Sequence, residues 1–330
     1  MKRILVTGGA GFIGSHFVKK LCTYSSDFEQ AGTQIVVYDK LTYAGDLKRL
    51  EGIPHIFVHG DICDGECLNA VLRKYGITHV VHFAAESHVD RSIADQAPFM
   101  RTNVLGTEVL IETVDRFWRE TGGYEHRQFI HISTDEVYGS ILQSEKPASE
   151  TTPLNPMNPY AVSKAKADAL VQHKIKRDYF PALILRSSNN YGLNQNAEKF
   201  IPRIINCLVN NHPIPVYGKG AQMRCWLSVE DYAEIICELI RLELIGEIFN
   251  VVGEETYSNI DMVMKIIEIF GQSVSRPTER QPEITFVPDR AQHDFYYHVD
   301  GSKLKCLIGE RYFKRRLENY FMELFHTASV

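Results

Sequence analysis

Short runs of β-branched and aromatic residues punctuate the first part of the chain, and each ends abruptly in small or polar residues. The runs are Arg3-Ile4-Leu5-Val6-Thr7, Gln34-Ile35-Val36-Val37-Tyr38, Ile56-Phe57-Val58, His79-Val80-Val81-His82-Phe83, Gln128-Phe129-Ile130-His131-Ile132-Ser133 and Ala182-Leu183-Ile184-Leu185. Stretches this short and this continuously apolar predict strands buried on both faces. Between them helical patterns run over about 15–21, 67–74 and 97–119. A loop with Pro147, Pro153, Pro156 and Pro159 follows, Pro159 ending it, and Tyr160 opens a helix to about Asp178. Strand–helix alternation at this spacing predicts an α/β fold built on a doubly wound parallel sheet. From about 193 the rhythm breaks into short elements. The chain thus divides into a cofactor-binding domain over 1–192, to which about 226–252 return, and a smaller α/β lobe over 193–330.

In open parallel sheets ligands bind beyond the carboxyl ends of the strands. The first strand ends in Gly8-Gly9-Ala10-Gly11-Phe12-Ile13-Gly14, which contains G-x-G-x-x-G at 9, 11 and 14 and G-x-x-G-x-x-G at 8, 11 and 14. A turn without Cβ atoms, followed by a helix N-terminus, meets a pyrophosphate with backbone N–H groups. The second strand ends at Asp39, an acid suited to both ribose hydroxyls of an adenosine and repelling a 2′-phosphate; this favours NAD over NADP, with Lys40 beside it acting in the opposite sense. Ala84 and Ala85 end the fourth run and would let a flat ring approach the backbone. The fifth carries Thr134-Asp135-Glu136, a hydroxyl and two carboxyls suited to moving protons. Tyr160 and Lys164 lie one helical turn apart, on one face.

The bulk properties narrow the field. With 44% hydrophobic and 23% charged residues, the chain has the makeup of an ordinary globular protein. A net charge of −5 with interspersed signs predicts neither a nucleic-acid partner nor a polybasic membrane surface. The seven cysteines (22, 63, 67, 207, 225, 237, 306) are scattered and odd in number, which predicts reduced thiols in a cytoplasmic protein. The chain enters a strand directly after Met1-Lys2, so no signal peptide is expected, and no apolar run reaches the ~18 residues of a membrane span. His88 and His293 have no carboxylate or second histidine at ligand spacing, and no metal is expected.

Taken together, the glycine loop, Asp39, Thr134-Asp135-Glu136 and Tyr160-x-x-x-Lys164 resemble the extended short-chain dehydrogenase/reductase superfamily over essentially the whole chain, and within it the nucleoside-diphosphate-hexose 4,6-dehydratases. The similarity is greatest to the branch that acts on dTDP-glucose. Supporting runs are Asp39-Lys40-Leu41-Thr42-Tyr43-Ala44-Gly45, Ala84-Ala85-Glu86-Ser87-His88-Val89-Asp90-Arg91-Ser92, Ser188-Asn189-Asn190-Tyr191-Gly192 and Glu198-Lys199. The resemblance implies a Rossmann-type fold, a homodimer formed through the helices near 97–119 and 158–178, and bound NAD. Cofactor contacts are implied for Gly8, Gly11, Phe12, Ile13 and Gly14; for Asp39, Lys40, Leu41, Thr42 and Gly45; for Asp61, Ile62, Phe83, Ala84, Ala85 and Ser87; and for Thr102, Ser133, Tyr160, Lys164 and Asn190. Substrate contacts are implied for Ser87, Thr134, Asn189, Glu198, Lys199, Phe200, Pro215, Tyr217, Arg224, Asn259, Asp289, Arg290 and His293, with Lys199, Arg224 and Arg290 as diphosphate partners.

The implied chemistry has three stages. Tyr160, as a phenolate whose pKa Lys164 lowers, takes the C4 hydroxyl proton while hydride leaves C4. Glu136 then removes the C5 proton as a protonated Asp135 donates to the departing C6 oxygen, and hydride finally returns to C6 while Glu136 reprotonates C5. Thr134 would hydrogen-bond the C4 oxygen. The sequence departs from the family at Leu193-Asn194, Ala197, Cys225, Ala291-Gln292 and Phe295, all in the lobe that reads base and sugar. The same chemistry on a UDP-sugar is the near alternative. A sugar-nucleotide 4-epimerase would not need Asp135 and Glu136, and an NAD-sensing module would need neither those acids nor Tyr160-Lys164.

Overall fold

The structure is a computed structural model and describes residues 1–24, 32–273, 282–289 and 293–327. Seven parallel strands form the central sheet: β1 (Arg3–Thr7), β2 (Gln34–Asp39), β3 (Ile56–His59), β4 (His79–His82), β5 (Gln128–Thr134), β6 (Ala182–Ser187) and, from far along the chain, β10 (Ile248–Val251). Their order is β10-β6-β5-β4-β1-β2-β3, so the winding reverses between β1 and β4 and opens a crevice at their carboxyl ends.

Alternate residues of each strand serve opposite layers, as the two-residue period of a strand demands. Ile4, Val6, Val37, Val81, Ile130 and Leu183 pack on one face, and Leu5, Val36, Val80, Phe129, Ala182 and Ile184 on the other. Helices α1 (Phe12–Thr23) and α7 (Val229–Arg241) cover the first face, and α2 (Gly65–Tyr75), α4 (Thr107–Glu120) and α5 (Pro159–Asp178) the second. Each such apolar side chain removed from water is worth about 1.5–3 kcal/mol, so the runs that announce the strands also hold the two layers to the sheet.

The expected helix over 97–119 is divided. A single turn at Ala97–Phe99, following α3 (Val89–Ala94), leads into a wider π turn at Met100–Gly106 before α4 begins. The extra residue turns Asn103 inward, where its amide donates to the Glu86 carbonyl (2.9 Å) and to Ser163 Oγ (2.8 Å). Pro159 does not end the loop but is the first residue of α5, where a missing N–H costs nothing, and the Asn158 side chain caps that helix on the Ala161 N–H.

The smaller lobe contains β7 (Asn189–Tyr191), α6 (Phe200–Val209), β8 (Ile214–Tyr217), β9 (Met223–Ser228), β11 (Glu255–Ser258), α8 (Asn259–Ser273), β12 (Ile284–Val287) and α10 (Leu317–Thr327), whereas α9 (Ser302–Ile308) returns to the central sheet, Leu304 and Ile308 packing with β10. Its strands form a mixed sheet, β11-β9-β7, and a parallel pair, β12-β8. Asn189 and Asn190, which read by themselves as turn formers, pair with Trp226 and Leu227 across that sheet. Isolated bridges Ile141–Tyr297, Ala148–Val299 and Met223–Tyr296 stitch the chain between 293 and 300 to the loop after β5 and to β9.

Candidate active site

One cleft runs along the carboxyl ends of the parallel strands and continues into the smaller lobe, and nearly every residue expected from the sequence lines it. Its floor is the glycine turn. Gly8 has φ +69°, and a Cβ there would sit 2.6 Å from the Ala84 nitrogen; a Cβ on Gly14 would meet the Gly8 carbonyl oxygen at 2.4 Å. Helix α1 starts from Gly11 without a side-chain cap, leaving its first N–H groups to an anion. Asp39 is buried; Oδ2 accepts the Ala10 N–H (2.9 Å) and Oδ1 the Leu41 N–H (2.8 Å). Each oxygen keeps a lone pair for a hydroxyl donor. Lys40 does not offset this acid: with Arg101 it holds Asp61 (2.8 and 2.9 Å), whose carboxyl stays below the usual range although burial pulls the other way. Asn189 Oδ1 and Asn190 Oδ1 are buried acceptors with no hydrogen-bond partner among the described residues. Glycine cradle, acid and open acceptors together fit a dinucleotide.

The candidate proton-transfer groups lie where β5 ends. Thr134 closes the strand, accepts the Glu136 N–H (3.3 Å) and donates to Asp135 Oδ1 (3.3 Å). Burial, then the neighbouring Glu136 charge, pushes the Asp135 carboxyl up to about 8, against the pull of Arg224. Burial also raises Glu136, opposed by the Asn158 amide (3.1 Å to Oε2) and by Arg224. A carboxyl kept protonated beside one able to serve as base is the pairing that acid–base chemistry requires.

Tyr160 and Lys164 reach the same region from α5. Lys164 Nζ donates to the Ile132 carbonyl (2.6 Å), and burial brings it down to about 8. The Tyr160 hydroxyl bonds Thr134 and is pushed up by burial and then by the Glu136 charge. In this state Tyr160 is a neutral phenol.

The smaller lobe supplies the far wall: Glu198, Lys199, Phe200, Pro215, Tyr217, Arg224, Asn259 and His293 line it. Lys199 Nζ donates to the Ser87 carbonyl (2.9 Å), while Glu198 joins Arg91 (2.9 Å) and His88 (3.4 Å), so this pair ties the lobes together. Arg224 donates to the carbonyls of Met223, Asp294 and Phe295 and stacks 4.5 Å from the Tyr297 ring. Two expected contacts do not line the cleft: Leu41 stands behind Asp39, and Asp289 stands behind His293, bonded to its Nδ1 at 2.6 Å. Arg290, with Ala291 and Gln292, lies outside the described residues.

Sequence reasoning missed Asn158, Asp294, Tyr297 and Trp226, all of which line the cleft. Only Asn158 carries a local signal, an Asn directly before Pro159 and a helix, and that signal reads as a cap. Among the departures, Cys225 is buried with its thiol on the Gly253 carbonyl (3.2 Å), and Leu193 and Phe295 are about half exposed. Among the described residues no cluster of side chains suits a metal ion.

The sequence model of the GDP-mannose 4,6 dehydratase family matches residues 5–311. A dTDP-glucose 4,6-dehydratase of Neisseria gonorrhoeae is 40% identical over 93% of this chain and 90% of its own, and dTDP-glucose 4,6-dehydratase 1 of Escherichia coli K12 is 38% identical over 93% and 87%. The crystal structure of the dTDP-glucose 4,6-dehydratase DesIV from Streptomyces venezuelae, with NAD and TYD bound, superimposes with a TM-score of 0.85 at 36% identity, covering 98% of this chain and 95% of that one. A UDP-glucose 4-epimerase of Thermus thermophilus shares the fold at 26% identity, with a TM-score of 0.83 and 99% of each chain covered. Full-length similarity of this degree, joined to a buried acid pair that C4 epimerisation has no use for, shows that the chain belongs to the sugar-nucleotide 4,6-dehydratase family of extended short-chain dehydrogenase/reductases.

Proposed function

We propose that this protein is an NAD-dependent dTDP-glucose 4,6-dehydratase, a hydro-lyase that forms dTDP-4-keto-6-deoxyglucose for deoxysugar biosynthesis. The observation that carries this reading is the split acid pair: Asp135 held protonated by burial up to about pH 8, with Glu136 beside it. A C5–H is not acidic until C4 is a ketone, so oxidation must precede elimination. NAD, when bound, supplies a positively charged acceptor for one hydride and later returns it.

The chain's own residues handle the protons. Tyr160, once its phenol has released its own proton to solvent, takes the C4 hydroxyl proton, and Thr134, already bonded to the Tyr160 hydroxyl, holds the C4 oxygen. Lys164, cationic below about pH 8, keeps positive charge within the site. Glu136 removes the C5 proton, Asp135 protonates the leaving C6 oxygen, and the Glu136 proton returns to C5. Arg224 and Lys199 serve the diphosphate, and Tyr217 with Asn259 the base. Lys40 engaged by Asp61 leaves Asp39 to discriminate against a 2′-phosphate, in favour of NAD.

Incubation with a panel of dTDP- and UDP-hexoses, with products read by mass, tests this. The expected result is loss of 18 mass units from dTDP-glucose, about one water, with no net NADH and no turnover of UDP-glucose. Isobaric products would replace dehydration by epimerisation, and dehydration of a UDP-sugar alone would reassign the substrate. In Glu136→Gln, C4 oxidation should persist and deuterium uptake at C5 should stop; continued uptake removes Glu136 as the base.

All seven cysteines are free thiols and no described helix is long and apolar enough to cross a membrane, in keeping with work in the cytoplasm. We also propose a homodimer, joined through the outward faces of α4 and α5. Those faces carry opposite charge, Glu108 and Glu112 on one and Lys166 and Lys176 on the other, with small Ala169 exposed between.

A further inference from the structure

Behind Glu136 lies a second buried carboxyl. Asp294 is 4% exposed, and its Oδ2 receives the Tyr297 hydroxyl at 2.8 Å. The same hydroxyl is 3.3 Å from Glu136 Oε2. The Asn158 amide spans the two acids as well, at 3.1 Å from Glu136 Oε2 and 3.5 Å from Asp294 Oδ2. Asp294 Oδ1 is buried with no partner among the described residues. Two carboxyls therefore share one hydroxyl proton and one amide, in a part of the cleft that water does not reach freely.

A tyrosine hydroxyl has a single proton to give. Resting on Asp294, it withholds from Glu136 a hydrogen bond that would stabilise the carboxylate and weaken it as a base. The Asp294 charge acts in the same direction, raising Glu136. We propose that Asp294, acting through Tyr297 and Asn158, is a positioning residue that keeps Glu136 aimed and poised to take the C5 proton. On the outward step the C5–H bond breaks, its electron pair expels the C6 oxygen, and Glu136 gains the proton. On return, as hydride adds at C6, Glu136 loses that proton to C5, and the Tyr297 hydroxyl turns to the carboxylate being regenerated. Tyr297 keeps its own proton throughout.

The other groups facing Glu136 are Asp135 in its own turn, Tyr160 from α5, Lys199 ahead of α6 and Arg224 from β9. Arg224 and Lys199 stabilise the carboxylate, so Asp294 is the charge that offsets them. Burial pushes Asp294 itself up, while the bonds from Tyr297 and Asn158 and the Arg224 charge hold it down.

This inference rests on Glu136 being the C5 base, and the test separates the two ideas. In single turnovers with dTDP-glucose in deuterated buffer, C4 oxidation is followed by nicotinamide absorbance and C5 exchange by mass, across pH. Asp294→Asn keeps the shape and removes the charge. Its C5 exchange should slow roughly tenfold, with the acid limb moving down by about one pH unit, while C4 oxidation is unchanged. An unmoved limb, or oxidation and exchange falling together, overturns the proposal. Where Asp294→Asn does not fold, Tyr297→Phe keeps the ring beneath Arg224 and should slow exchange alone; equal slowing of both steps overturns the proposal there too. Glu136→Gln is run in parallel. If it still exchanges C5, the base assignment itself has failed; if it does not, an unmoved Asp294→Asn profile refutes only the role of Asp294.

Discussion

A carboxyl that must give up a proton near neutral pH has to be kept from losing it beforehand, and Asp135 is kept so by burial next to Glu136. Its value of about 8 in the folded protein lies above the ordinary 3.8, so between those values the folded state holds a proton that the unfolded chain releases. Stability from this group is intact below the lower value and is lost as pH rises through the upper one. Asp135→Asn should therefore unfold at a higher temperature than the parent at pH 8, by on the order of 3 kcal/mol, and the gain should vanish towards pH 4. A gain that is absent at pH 8, or that grows on acidification, sinks the argument. The two acids of this pair are legible because they are neighbours in sequence at a strand end. Asp294 and Tyr297 are not, because nothing local marks residues that meet Glu136 only after the chain has folded across itself, and the local mark on Asn158 is that of a helix cap.

The inner strands of the central sheet can be read from the sequence because burial on both faces leaves no room for polar alternation, while the edge strand β3 is only partly covered. β7 cannot: Asn189-Asn190-Tyr191 has no apolar run, and its strand conformation comes from pairing with β9. The π turn at Met100–Gly106 is equally silent, since Glu86 and Ser163, the partners it brings to Asn103, are distant in sequence. At this scale α4 and α5 carry the association proposed above. Ala169 is exposed on α5, and Ala169→Arg places bulk and charge at the centre of that face. Sedimentation should give a dimer for the parent and self-association weakened at least roughly tenfold in the variant. A monomeric parent, or an unaffected variant, moves the interface elsewhere or removes it.

Across the molecule, the centre of the sheet is where protons are refused. His79 and His82 in β4 and His131 in β5 are all buried, and burial pushes each down, to about 3 for His79 and about 4 for His131. His82 is spoken for as a neutral ring between Thr7 (2.7 Å) and Thr107 (2.9 Å). Below about 6.5 the unfolded chain takes up protons that these rings do not, so stability falls on acidification. Each neutral histidine contributes roughly 1.4 kcal/mol per pH unit in that window, against an opposing contribution from Asp135. Urea midpoints should drop clearly from pH 7 to pH 5, and a flat profile would show that the rings are protonated in place.

The crossing of the segment after His293 to the loop beyond β5, by way of the Ile141–Tyr297 and Ala148–Val299 bridges, also bears on how the enzyme is made. During translation the glycine turn, Asp39 and both reacting acids emerge within the first half of the nascent chain, and Tyr160 and Lys164 soon after. β10, which completes the sheet, follows well past the midpoint, and Asp294 and Tyr297 beside Glu136 leave the ribosome only near the end. A growing polypeptide can thus assemble much of its dinucleotide cradle well before it can eliminate water, and catalytic competence is among the last properties that synthesis confers.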